Sequence, residues 1–145
     1  MRRTVVLVVV AAALVVGCSH PVGPARTFGA YEGKARTTVR SALSNVETAR
    51  LAVDALARGH SFGPYTAVVV SDAEDALGGL QGTFGSIQPP DRNADALRRE
   101  VDELLGDALG GVSAARIAVR RSERPDTSAL AESASALEDW LAAHP

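Results

Sequence analysis

The chain has 145 residues, of which 15 are basic and 17 are acidic, so its formal net charge at pH 7 is −2. A charge this small gives no reason to expect nucleic acid as a partner. The length is sufficient for one domain with a hydrophobic core. Cys18 is the only cysteine, which excludes an intrachain disulfide.

The first residues have the organisation of an export signal. Met1-Arg2-Arg3 is basic, and an uncharged stretch of Val, Ala and Leu follows from Val5 to Val16. As a helix this stretch would cover about 18 Å, less than the roughly 30 Å of a membrane core. It therefore suits a signal peptide better than a transmembrane helix.

The segment Val15-Val16-Gly17-Cys18 resembles the lipobox of bacterial lipoproteins. The resemblance implies that residues 1–17 are a cleaved signal peptide and that the Cys18 thiol carries a diacylglycerol thioether. The mature protein would then be anchored on the extracytoplasmic face of the cell membrane, stably because it carries two or more acyl chains. An uncleaved N-terminal anchor and an ordinary signal peptide are the alternatives.

The composition of the mature part fits such a source. Lys34 is the only lysine among the basic residues, and Ala, Val and Gly are abundant, as expected from a GC-rich genome. Residues 18–145 contain 13 basic and 17 acidic side chains. This part resembles uncharacterised helical lipoproteins of high-GC Gram-positive bacteria.

Residues 18–27 contain two prolines and no apolar periodicity, so we expect the lipidated Cys18 to be followed by a flexible tether. From Phe28 to about Arg58, apolar residues recur at alternating spacings of four and three, which predicts an amphipathic helix. The predicted seam of this first helix is Ala35, Val39, Ala42, Val46, Ala49, Val53 and Leu56.

Three further helices follow. The second is predicted from Pro64 to Ile87, with Tyr65, Val69, Ala73, Ala76, Leu80, Phe84 and Ile87 as its seam. Its later glycines, Gly78, Gly79, Gly82 and Gly85, favour a frayed or bent end, or else the close approach of another backbone. The third runs to about Arg121, with Ala94, Leu97, Val101, Leu104, Ala108, Val112, Ala115 and Val119 inward. The fourth runs to Ala143, with Leu130, Ala134, Leu137 and Leu141 inward.

Four amphipathic helices joined by short turns predict an all-α fold, an antiparallel up-down-up-down four-helix bundle over residues 28–145. In that topology the first and third helices start at the tether end, which we call the proximal pole. Most of the aromatic residues would meet there: Phe28, Tyr31, Phe84 and Trp140. They would form either a cap that seals the core or a surface patch on lipid headgroups.

The opposite end, the distal pole, would gather the basic residues. The candidate partner-binding surface comprises Arg58, His60, Arg116, Arg120, Arg121 and Arg124, flanked by Phe62 and Tyr65. One interpretation is ordinary charge placement, since cations near helix C-termini are stabilising by about 0.3–1 kcal/mol each. The other is a surface that meets an acidic envelope protein or an anionic envelope polymer.

No catalytic or metal-binding motif is recognisable in the sequence. No Glu is followed by His at the i+3 position, as a di-metal bundle site requires, and no cysteine pair exists for zinc. A triad of His60 and Ser61 with Asp54 or Asp126 is conceivable but would need adjacent residues of one turn to converge. Asp72 and Asp75 share a helix face that we interpret as solvated. We therefore expect neither a cofactor nor a metal.

The sequence thus favours a membrane-anchored lipoprotein with a non-catalytic interaction or structural module. A small-molecule-binding lipoprotein is the alternative, and it would require an apolar cavity of at least roughly 300 Å³. An enzyme is the least favoured class, and it would require a polar cleft around His60.

Overall fold

The computed structural model describes residues 24–145, which form four helices and, within that range, no strand. They are α1 (Phe28–Ala57), α2 (Gly63–Gly85), α3 (Arg92–Arg120) and α4 (Thr127–Ala143). The proposed signal peptide, Cys18 and the first part of the tether lie outside the described residues.

The helix starts follow from local sequence. The Thr27 hydroxyl accepts a hydrogen bond from the Ala30 amide, and the Asp91 carboxylate accepts one from Ala94. These caps satisfy amide groups that the first turn of a helix leaves without partners. The α2 helix lacks a side-chain cap and instead begins with Pro64, whose missing N–H costs nothing at that position.

The helices form the expected antiparallel up-down-up-down four-helix bundle. Each helix packs against the next along the chain, α4 returns to pack against α1, and α1 also contacts α3 across the bundle. Among the described residues α2 and α4 do not touch, so the cross-section is a diamond rather than a square. The helices differ in length: α1 spans about 45 Å and α4 only about 26 Å.

The predicted seams of α1 and α3 form most of the core. Six of the seven seam residues predicted for α1 are fully buried, and Leu56 is half-buried beside them. In α3 the prediction is confirmed except that Leu105, not Leu104, is the buried leucine. In α4, Trp140 is buried and its neighbour Leu141 is half-buried.

Of the seam predicted for α2, Ala73, Phe84 and Ile87 are buried as expected, but elsewhere the buried face lies one residue further along the chain. The structure buries Thr66, Val70 and Leu77 and leaves Tyr65 56 % exposed. Thr66 brings a hydroxyl group into the core. That hydroxyl lies 3.0 Å from the Ser61 hydroxyl, and this hydrogen bond offsets the cost of burying it.

The glycines of α2 neither fray the helix nor bring another backbone close. The helix is continuous to Gly85. A Cβ built at Gly78, Gly79 or Gly82 would meet nothing within 4 Å, so these positions face open space. The predicted fraying is therefore wrong, and so is the predicted close approach of another backbone at these three glycines.

Candidate functional site

The two ends of the bundle differ in composition. The proximal pole contains the start of α1, the turn between α2 and α3 and the end of α4. The distal pole contains the turns 58–62 and 121–126, and lies about 45 Å away along α1. Any exposed group at the distal pole is therefore remote from the point where the chain enters the bundle.

The proximal aromatic residues are part of the core. Tyr31 and Phe84 are fully buried, and their ring centroids lie 5.3 Å apart. Trp140 is also buried but stacks on His144, with ring centroids 4.1 Å apart. The interpretation of these rings as a cap on the core is thus confirmed, although they do not form a single cluster.

Because α4 is short, Trp140 is not part of the Tyr31–Phe84 pair. The Arg36 guanidinium donates a hydrogen bond to the carbonyl of Pro145, so the C-terminus lies level with Arg36. Tyr31 is about 8 Å further toward the proximal pole. Ala25 of the predicted tether is also buried in the core, whereas Pro24, Arg26 and Thr27 are exposed.

Burial also affects the polar atoms of these aromatic residues. Neither the Tyr31 hydroxyl nor Trp140 Nε1 forms a hydrogen bond within the described residues. Burial raises the pKa of the Tyr31 hydroxyl, and the nearby Arg98 charge offsets this only in part. Burial thus favours the neutral, protonated form of this hydroxyl.

The distal pole contains most of the predicted basic surface. These residues are exposed: Arg58, His60, Arg120, Arg121 and Arg124. Within residues 24–145 none of them forms an ion pair. Among the nearby acids, the Asp126 carboxylate accepts hydrogen bonds from the hydroxyl and amide of Ser128, which lower its pKa.

Arg116 is separate from this cluster. Its guanidinium contacts the Glu74 carboxylate of α2, with Nη2 3.3 Å from Oε1. Both side chains are mostly buried, 23 % and 20 % exposed. Arg116 therefore links α2 to α3 and is not available to a partner.

Large apolar side chains are also exposed on the distal half. Among the described residues these are Leu51, Phe62, Tyr65, Val68 and Ile117. Phe62 and Tyr65 are 65 % and 56 % exposed, and their ring centroids lie 5.9 Å apart. Only Phe62 and Tyr65 were predicted at the distal pole. Leu51, Val68 and Ile117 are large apolar residues outside the predicted seams, and this signal identifies them in the sequence.

A cleft of about 380 Å³ opens between the end of α1 and the turn that joins α3 to α4. Its apolar lining comes from the ends of α1 and α3 and from that turn, with Arg124 and Glu123 among its polar residues. The lining residues are Leu56, Ala57, Gly63, Val119, Ser122, Glu123, Arg124 and Pro125. No motif marks this cleft in the sequence, because three separate segments build it.

A second depression, of about 430 Å³, lies along α3 and α4. Its lining residues are Gly106, Asp107, Gly110, Gly111, Ala129, Glu132, Ser133 and Ala136. Both depressions exceed the volume of roughly 300 Å³ required for a small-molecule site. Both are also open to solvent, so they would cover one side of a ligand rather than enclose it.

The conceivable triad does not assemble. His60 is exposed, and the Ser61 hydroxyl contacts Thr66 rather than an imidazole. Asp72 and Asp75 are exposed on α2, in agreement with a solvated face.

No helix in residues 24–145 combines the length and hydropathy needed to cross a membrane. The same range holds no group of three or more His, Cys, Asp or Glu side chains placed to bind a metal ion.

Comparison of the chain with protein-family models, curated proteins and solved structures finds no match.

Proposed function

We propose that this protein is a lipid-anchored, non-catalytic binding module of the bacterial cell envelope. In this proposal Cys18 carries the lipid, and the distal pole is the surface that meets a partner. The observation that supports it best is the concentration of exposed arginines and exposed large apolar side chains at the same end of the bundle. Phe62 and Tyr65 contact each other there, and contiguous exposed apolar side chains are typical of interaction sites.

The position of the anchor gives the distal pole its orientation. The lipobox-like segment Val15–Cys18 precedes the proximal pole, where α1 starts. If the lipid is on Cys18, the length of α1 holds the distal pole about 45 Å beyond the start of the bundle. The arginine-rich end would then face away from the membrane.

Lipidation of Cys18 is tested by substitution. We expect Cys18→Ser to abolish labelling with a palmitate analogue, because serine has no thiol to form the thioether. The variant should also leave the membrane fraction that contains lipid-modified proteins. Ser19→Ala is the matched control and should leave both unchanged. Labelling that persists in Cys18→Ser would contradict the anchor.

The role of the distal pole is tested by charge reversal. The triple variant Arg120→Glu, Arg121→Glu, Arg124→Glu should lose its co-purifying envelope partners, because the complementary charge is removed. A control triple reverses three exposed arginines elsewhere: Arg40, Arg92 and Arg99. Circular dichroism checks that both proteins remain helical. Identical partners for wild type and the distal triple would contradict the proposed surface.

A small-molecule-binding lipoprotein remains the second candidate, because the distal cleft has a sufficient volume. Its open form favours the edge of a larger partner over an enclosed ligand. A thermal-shift screen of small envelope metabolites distinguishes the two: stabilisation that Ala57→Phe removes would favour the small-molecule function.

A further inference from the structure

The distal cleft is an apolar socket large enough for a bulky side chain of a partner. Half-buried Leu56 and buried Val119 contribute to its lining, together with Ala57 and Pro125. Its volume of about 380 Å³ is near the lower end of the range for ligand pockets, roughly 300–1,000 Å³. A site this small and open suits a protruding apolar side chain of a larger partner.

The surroundings of the socket are basic, whereas the rest of the protein is acidic. Arg124 lines the cleft, and Arg58 and Arg120 are the chain neighbours of the lining residues Ala57 and Val119. Segments 57–63 and 120–126 carry four arginines against two carboxylates. Over residues 18–145, by contrast, acidic side chains outnumber basic ones, 17 to 13. The field at this pole therefore selects an acidic partner.

The apolar groups favour a protein over an anionic polymer. A phosphate-rich polymer would pair with the arginines but would leave Phe62, Tyr65 and the apolar lining of the cleft without contacts. Glu123 also lines the cleft and would repel a densely charged polyanion. A peptide segment with spaced carboxylates and an apolar anchor contacts both kinds of group.

We infer that the distal cleft binds an acidic protein segment that inserts a bulky apolar side chain between the end of α1 and the α3–α4 turn. This inference rests on the proposed function, in which the distal pole is the binding surface. The apolar anchor supplies the buried hot spot, and the surrounding arginines pair with the carboxylates that flank it.

To test this, random displayed peptides are selected for binding to the purified full chain. The expected consensus combines Asp or Glu with a central Leu, Phe or Trp. Synthetic peptides of that consensus are then measured by fluorescence anisotropy, beside the same peptides with the central residue replaced by Ala. Polyphosphate is a separate probe for an anionic polymer.

Two pairs of variants locate the binding. Ala57→Phe fills the cleft, and its control is Ala30→Phe, an exposed alanine in the first turn of the same helix. Arg124→Glu reverses a charge that lines the cleft, and its control is Arg99→Glu, an exposed arginine within α3. We expect each distal variant, and the replacement of the central apolar residue, to weaken binding about tenfold or more. Both controls should bind like wild type.

The inference is overturned by a basic or neutral consensus, by no enrichment, or by peptide binding that Ala57→Phe leaves unchanged. Polyphosphate binding that needs Arg124 but tolerates Ala57→Phe, without peptide binding, would assign the pole to an anionic polymer and also overturn it. These failures are distinct from failure of the proposed function. The proposed function fails instead if reversal of the distal arginines leaves the cellular partners unchanged.

Discussion

At the scale of single residues, the contact between Glu74 and Arg116 is the ion pair that joins two helices within the described chain. Burial raises the pKa of the Glu74 carboxyl, but hydrogen bonds from Arg116 and Ser113 and the charge of Arg116 outweigh it, so the net pKa is lowered. The carboxylate is thus more stable in the folded chain than in the unfolded one.

The substitution Glu74→Gln tests this contact. A lowered pKa in the folded state means that the carboxylate contributes stability above the unfolded pKa of about 4.3, and that this contribution is lost as pH falls through the folded pKa. We expect Glu74→Gln to lower the free energy of unfolding by about 1.5–3 kcal/mol at pH 7, the range for hydrogen bonds to charged groups. The difference from wild type should shrink as the pH is lowered below about 4.

Urea denaturation at several pH values measures the effect. Glu47→Gln is the matched control, because Glu47 pairs with Arg50 within one helix and both are more exposed, 31 % and 34 %. That pair is expected to contribute no more than about 0.5 kcal/mol. Equal effects of the two substitutions would show that Glu74 and Arg116 do not link α2 to α3.

At the scale of the helices, three glycines of α2 lower the stability of this helix, and a Cβ at these positions would meet no neighbour. Gly78, Gly79 and Gly82 are exposed and face open space, with helical backbone. We expect each single change to Ala to raise the free energy of unfolding by up to about 1 kcal/mol, since Ala loses less backbone entropy on folding. Thermal and urea denaturation monitored by circular dichroism measure this.

Gly59→Ala is the matched control for these changes. A Cβ at Gly59 also meets open space, but its φ of +73° lies in the left-handed region. The same substitution should therefore destabilise the protein there, by about 1 kcal/mol. If the α2 variants were destabilised as well, the outward-facing helical placement of those glycines would be wrong.

The sequence predicted the helices well because their apolar spacing is regular. In α1 and α3 one seam is apolar throughout, so periodicity identified the buried face. In α2 two neighbouring faces were both plausible, and the buried one includes Thr66. Its burial depends on the tertiary contact with Ser61, which no periodicity reveals.

The candidate site was predicted only in part for a similar reason. Helix ends place Arg58, Arg120, Arg121 and Arg124 at one pole, and this follows from topology alone. Arg116 lies one turn before Arg120, where Glu74 of the neighbouring helix is within reach. The cleft depends on how three segments meet, so it could be recognised only in three dimensions.

At the scale of the whole molecule, the bundle has two different ends. The proximal pole is sealed by buried aromatic rings, whereas the distal pole exposes arginines, large apolar side chains and a cleft. A chain selected only for stability gains nothing from large apolar side chains in water. This difference between the two ends is therefore the central support for a distal binding surface.

Site-specific photo-crosslinking in intact cells tests this claim most directly. A benzophenone amino acid is placed singly at distal positions Phe62, Tyr65 and Val68, and at exposed proximal positions Ala30, Gln88 and Ala142. We predict discrete partner adducts from the distal positions, lost when Arg120, Arg121 and Arg124 are reversed to Glu, and none from the proximal positions. Adducts from the proximal positions alone, or distal adducts that the charge reversal does not change, would contradict the account.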